Sequence, residues 1–188
     1  EILNNPFKNV VRTKGDGNLH QLIQISVVNE VLTVKRKPGF EILNQTEPLK
    51  VTLATKDLTE ITMNGDKGSL TNMGAIEIPK LTLTNTGSGK MELRVKTEEL
   101  VLNTENNAAI TVEGNSNTVK INSKSSGDIQ AKELSAFFTE IDSSGSGNIY
   151  TNTVNGIDGN LNGTGNLYYR VTKTINVNEN SEGKVIKE

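Results

Sequence analysis

Gly145-Ser146-Gly147-Asn148-Ile149 is the stretch from which the rest of the chain is read, because degenerate copies of it recur through the second half at a nearly fixed interval. Aligned on the second glycine, the copies place Gly89, Ala108, Gly127, Gly147, Gly165 and Gly183 in one column, spaced by 19, 19, 20, 18 and 18 residues. Two residues beyond each anchor stand Met91, Ile110, Ile129, Ile149, Leu167 and Val185. Six residues before it stand Leu83, Leu102, Ile121, Ile141, Gly159 and Val177, and eight before it Leu81, Leu100, Val119, Thr139, Ile157 and Ile175. The positions between these columns are polar or charged.

Alternation with a period of two is the mark of a half-buried strand, and it appears on both sides of each glycine turn. A coil of 18–20 residues cannot close a core by itself. Its few apolar side chains contribute roughly 1.5–3 kcal/mol each, against roughly 1.5 kcal/mol of ordering entropy for every residue. Copies must therefore stack, and stacking at about 4.8 Å per layer builds parallel sheets in which like residues lie above like. The predicted fold is all-β, a parallel β-helix. A polar column five residues before the anchor, Thr84, Asn103, Asn122, Asp142, Asn160 and Asn178, fits the same scheme as a ladder of side chains at a bend.

Composition narrows function by exclusion. The 188 residues carry 20 basic and 22 acidic side chains, a formal net charge of −2, so nothing predicts an electrostatic grip on nucleic acid. There is no cysteine, hence no disulfide frame and no thiolate ligand or nucleophile. No run is long and apolar enough to cross a membrane as a helix. The chain opens at Glu1 with neither an initiator methionine nor a signal-like apolar segment, as expected of a mature or trimmed chain.

Residues 1–48 read as an N-terminal lead with the first strands or cap, and 49–188 as the coils of one continuous domain. In the lead only Val10 and Val11 suggest strand, before an alternation through Ile23, Ile25 and Val27 and another through Leu32 and Val34. Pro38-Gly39 ends the second. Gly68 marks an early copy of the turn, Ile76 and Ile78 a short strand, and Phe137-Phe138 falls in the longest of the regular spacings, where a bulge or small cover is expected.

The turns GSGKM, SSGDI, GSGNI and GTGNL, the closing NLYYRVTKTINVNENSEGKVIKE and the earlier NLHQLIQISVVNEVLTVKRKPG resemble the head GIN domain family of auto-transporter adhesins, from about Asn18 to the C-terminus. The resemblance implies a right-handed parallel β-helix in an exported or envelope protein of Gram-negative bacteria. Asn106-Asn107-Ala108 and Ser181-Glu182-Gly183 depart from the glycine pattern, and the chain lacks the membrane barrel an auto-transporter needs for its own export.

Chemistry has few places to reside. His20 is the only histidine, so a zinc cluster or a histidine-based triad has no second member. Asp128, Asp142 and Asp158 fall at three phases of the repeat, whereas Glu140 and Asp158 share a column and form the one vertical carboxylate pair, the minimum for acid–base work on a polysaccharide. The aspartates lack the nonapeptide spacing of calcium-binding rolls, and nothing after the glycines is helix-forming, as a dinucleotide site requires. Neither metal nor cofactor is expected. Three residues after the anchor, Tyr150 and Tyr168 should lie on adjacent coils facing outward, about 5 Å apart, with Arg170 at the edge and Tyr169 facing inward. The reading is a non-enzymatic surface or envelope module whose partner is a glycan or an envelope protein. A carbohydrate-active β-helix enzyme is the alternative.

Overall fold

The repeated alternation becomes coils because every aliphatic column finds the same column one layer away. A computed structural model describes residues 1–4, 9–40, 44–55, 58–66, 68–170 and 172–188. Its elements are β1 (Ile2–Asn4), β2 (Val10–Lys14), a 3-10 turn (Gly17–Leu22), β3 (Ile23–Val28), β4 (Val31–Arg36), β5 (Lys50–Thr55), β6 (Glu60–Met63), β7 (Ser69–Met73) and β8 (Ile76–Glu77). There follow β9 (Lys80–Asn85), β10 (Lys90–Asn106), β11 (Ala109–Ser125), β12 (Ile129–Ser143), β13 (Ile149–Leu161), β14 (Leu167–Arg170), β15 (Thr174–Glu179) and β16 (Val185–Lys187). The fold is a parallel β-solenoid of about 7 turns.

Pairing follows the sequence columns. Met91 pairs with Ile110, Ile110 with Ile129, Ile129 with Ile149, Ile149 with Leu167 and Leu167 with Val185, all in parallel register. The inward column Leu83, Leu102, Ile121 and Ile141 is no more than 1% exposed. Its odd member, Gly159, has a physical reason. It adopts a φ of +143°, and a Cβ there would fall 1.9 Å from the carbonyl oxygen of Ile141. The turn glycines answer a similar constraint, since a Cβ on Gly147 would stand 2.1 Å from the Gly127 carbonyl oxygen. Where glycine is replaced in the Asn106-Asn107-Ala108 turn, Asn106 takes the left-handed conformation, φ +61°, which asparagine tolerates better than most residues.

Two sets of inward positions in the alternation are polar. A buried polar column runs through Asn85, Thr104, Ser123 and Ser143, with the Thr104 hydroxyl donating to Ser123 Oγ at 3.1 Å. Thr139, the polar member of an aliphatic column, is 2% exposed and shares a 2.6 Å hydrogen bond with Thr153. The bulge expected near Phe137-Phe138 is present as register slips between Ala131 and Ser135 and between Ala136 and Phe138. The Phe138 ring covers Gly156, where a Cβ would come within 2.9 Å of it.

At the N-terminal end the lead contributes more strand than its alternation indicates. β1 pairs in parallel with both β5 and β7, and Ile2 is 4% exposed, while β2 pairs antiparallel with β5. β3 and β4 form a separate antiparallel hairpin, joined by Asn29 (φ +49°) and Glu30 (φ +65°). Positive φ at both loop residues is the two-residue turn whose twist suits a hairpin.

Candidate functional site

Tyr150 on β13 and Tyr168 on β14 pair in register on adjacent coils. Their ring centroids are 4.8 Å apart and their planes differ by 9°. Parallel rings this close must face one another, because side by side in one plane they would overlap. The pair is therefore a stack whose edges and hydroxyls meet solvent, and this differs from a flat platform in one respect: the inner ring faces are already occupied. Tyr169, one residue on, packs against the core as its phase requires.

Asparagines one position after the Gly147 and Gly165 anchors link the coils beside the stack. Asn148 Oδ1 accepts the Asn166 N–H at 3.0 Å and Asn166 Oδ1 accepts the Lys184 N–H at 2.9 Å, so each amide is fixed by the coil above. The Asn166 amide nitrogen donates to the Tyr168 phenol oxygen at 3.4 Å. Partial burial, followed by the charges of Asp128, Tyr168 and Glu188, raises the Tyr150 pKa above that of a free phenol. The ring is neutral and a donor at any physiological pH.

Arg170 lies two residues beyond Tyr168 on the same strand face. Its Nε donates to Glu188 Oε2 at 3.1 Å, and one terminal nitrogen is 3.6 Å from Glu133 Oε1. The guanidinium is thus shared between two carboxylates. The Glu188 contact is legible in the repeat, both residues standing five after their anchors. The Glu133 contact is not, since that residue is carried to the site by the register slip in β12.

Of the carboxylates of the enzyme reading, Glu140 has Asp158 beside it on the next coil and Asp142 two residues along its own strand. Glu140 and Asp158 pair in register, and Glu140 and Asp142 line one shallow groove of about 280 Å³ with Lys120, Asn122, Gly159 and Asn160. Lys120 Nζ stands 3.8 Å from Glu140, and the Asn162 amide donates to Asp142 at 3.2 Å. A second open groove, about 500 Å³, follows the turn corner past Asn106, Ser126, Ser144, Ser146, Asn162 and Thr164. His20 is remote from these sites in the repeat: its Nδ1 meets the Thr13 hydroxyl at 2.8 Å and its Nε2 the Gly15 carbonyl at 3.1 Å. Among the described residues no three of His, Cys, Asp and Glu are grouped to hold a metal, and no helix is long and apolar enough to cross a membrane.

A family model described as "Putative auto-transporter adhesin, head GIN domain" matches residues 3–172. Among solved structures, an adhesin (so named as putative) from Bacteroides fragilis superimposes with a TM-score of 0.90 at 21% identity, covering 100% of this chain and 86% of that one. A similarly named protein from Parabacteroides distasonis gives 0.74 at 22% identity, covering 100% and 87%. A protein of that organism named as a putative lipid binding protein gives 0.70 at 16% identity, covering 98% and 87%. At these identities the likeness is one of fold. No curated protein sequence matches the chain.

Proposed function

This chain belongs to the family described as "Putative auto-transporter adhesin, head GIN domain", and on that premise we propose that it is a non-enzymatic binding or structural module of the cell envelope or cell surface. The observation that carries the reading is the stacked Tyr150–Tyr168 pair, half-exposed and held at Tyr168 by Asn166. Side chains fixed in this way lose little entropy when a ligand arrives. The phenol hydroxyls and ring edges suit a glycan or the surface of an envelope protein, and the Arg170 ion pairs border the stripe. A family named for adhesins fits an exported, surface-related protein.

Support for a non-enzymatic role comes from the acidic groove, where Glu140 is balanced by Lys120 and Asp142 by an amide donor in an open setting. The test is a Tyr150→Ala, Tyr168→Ala double variant beside the parent on a glycan array and in pull-downs from envelope extracts. Binding by the parent that is lost in a still-folded variant supports the stripe. Unchanged binding removes it and directs attention to the corner groove.

A further inference from the structure

We propose that the β3–β4 hairpin is a self-association element, in which β4 of a second copy of this chain pairs antiparallel with β4 about a two-fold axis at Thr33. The hairpin is the part of the described structure whose strands pair with no strand of the solenoid. Its exposed aliphatics are concentrated: Val27 is 68% exposed, Val28 65%, Val31 62%, Ile25 43% and Val34 42%. A two-stranded hairpin is marginal in water, and a third strand is the usual remedy.

Hydrogen-bond parity says which edge is open and how it can pair. In a hairpin with a two-residue turn, Val28 and Val31 exchange both backbone bonds, and so do Ser26 with Thr33 and Gln24 with Lys35. The Lys37 N–H to Leu22 carbonyl bond, 2.7 Å, continues that series. The backbone groups of Leu32, Val34 and Arg36 consequently point away from β3. In a symmetric antiparallel β4 pair, outward residues must meet outward residues, so the two-fold axis has to pass through a residue and not between two.

Charge selects among the permitted axes. An axis at Thr33 sets Leu32 opposite Val34 of the second copy and brings Glu30, the turn residue just before β4, beside its Arg36, each contact occurring twice. An axis at Leu32 or at Val34 leaves both charges opposite uncharged residues. Among the described residues neither Glu30 nor Arg36 is in an ion pair within its own chain. The same pairing joins the Ile25, Val27, Leu32 and Val34 faces of both copies into one four-stranded aliphatic surface. A bilayer fits less well, because Asn29 and Glu30 at the apex would be the deepest residues in it. One strand edge per copy is a small interface, so the dimer is expected to be weak and concentration-dependent.

Sedimentation velocity over a dilution series of the full chain tests this. A monomer–dimer equilibrium is expected, with Glu30→Arg and Arg36→Glu each weakening it about tenfold or more through like-charge contacts made twice. The Glu30→Arg, Arg36→Glu double variant, and an equimolar mixture of the two single variants, should both recover the parent's association. Val34→Pro, which removes an outward N–H and leaves the hairpin's own bonds intact, should abolish it. A chain that is monomeric throughout, a dimer indifferent to these charges, or a monomer that instead co-sediments through the hairpin with phosphatidylglycerol vesicles overturns the proposal.

Discussion

The Glu179 carboxylate accepts the Val185 N–H at 2.8 Å, in the place where each earlier coil finds the carbonyl of the next. Ile110 donates to Asp128, Ile129 to Asn148, Ile149 to Asn166 and Leu167 to Lys184. Val185 lies on the last coil of the described residues, and Glu179, standing in the column that is buried as Asn85, Thr104, Ser123 and Ser143, turns to its N–H and supplies the acceptor. Lys184 Nζ donates to the same carboxylate at 3.1 Å.

The Val185 backbone bond, and then the Lys184 ammonium, hold the Glu179 pKa below its ordinary value of 4.5. A depressed carboxylate pKa contributes to the folded state above the unfolded value, and the contribution is lost as pH falls through the folded one. The Val185 amide resonance should therefore titrate with a midpoint below 4.5. In Glu179→Gln that titration should vanish while the remaining coils are unaffected. A midpoint at or above 4.5 would contradict the Glu179–Val185 bond.

Ile141 and Asp142 test the facing of the coils. Ile141 is 1% exposed and Asp142 lies at the surface. Ile141→Asp introduces an unpaired buried charge, expected to cost about 4 kcal/mol or more, whereas Asp142→Ala loses one exposed hydrogen bond and should stay within about 1 kcal/mol. Thermal melts of the two variants with equal losses would contradict the assigned faces.

The close approach of successive turns gives a sharper contrast between two glycines. Alanine at Gly147 would place its Cβ 2.1 Å from a backbone oxygen, whereas at Gly17 nothing lies within 4 Å. Gly147→Ala is expected to destabilise by about 2 kcal/mol or more and Gly17→Ala by less than about 0.5 kcal/mol. Denaturant midpoints measure both.

A double-mutant cycle on Tyr150 and Tyr168 should give a coupling of about 0.5–1.5 kcal/mol, the usual value of an aromatic pair beyond its buried area. A coupling near zero would mean that the rings do not hold one another in solution.

Acidic and neutral polysaccharides incubated with the protein should yield no shortened products. Turnover that disappears in Glu140→Gln or Asp158→Asn would install the carboxylate pair as an active site and displace the binding role.

Much of this molecule is legible before any coordinates, because a solenoid converts sequence spacing directly into vertical neighbours. The period around Gly147, the aliphatic columns, the pairing of Glu140 with Asp158 and the 4.8 Å contact between Tyr150 and Tyr168 all follow from one alignment of the chain on itself. What the spacing does not contain is orientation and whatever breaks the spacing. Ring planes depend on χ angles and clamping amides, so the stack with its inner faces covered is a tertiary result. Glu133 reaches Arg170 through a register slip, and a fixed period assigns it to another position. The buried Thr104 and Ser123 keep the inward parity of Leu102 and Ile121, but their polarity hides it, and they enter the core because they satisfy each other across coils. Ile2 enters the sheet beside β5 and β7 although its own segment carries too short a pattern to declare a strand. Glu179 reads as one more surface carboxylate until the chain is folded, when the turn between β15 and β16 brings the Val185 N–H to it.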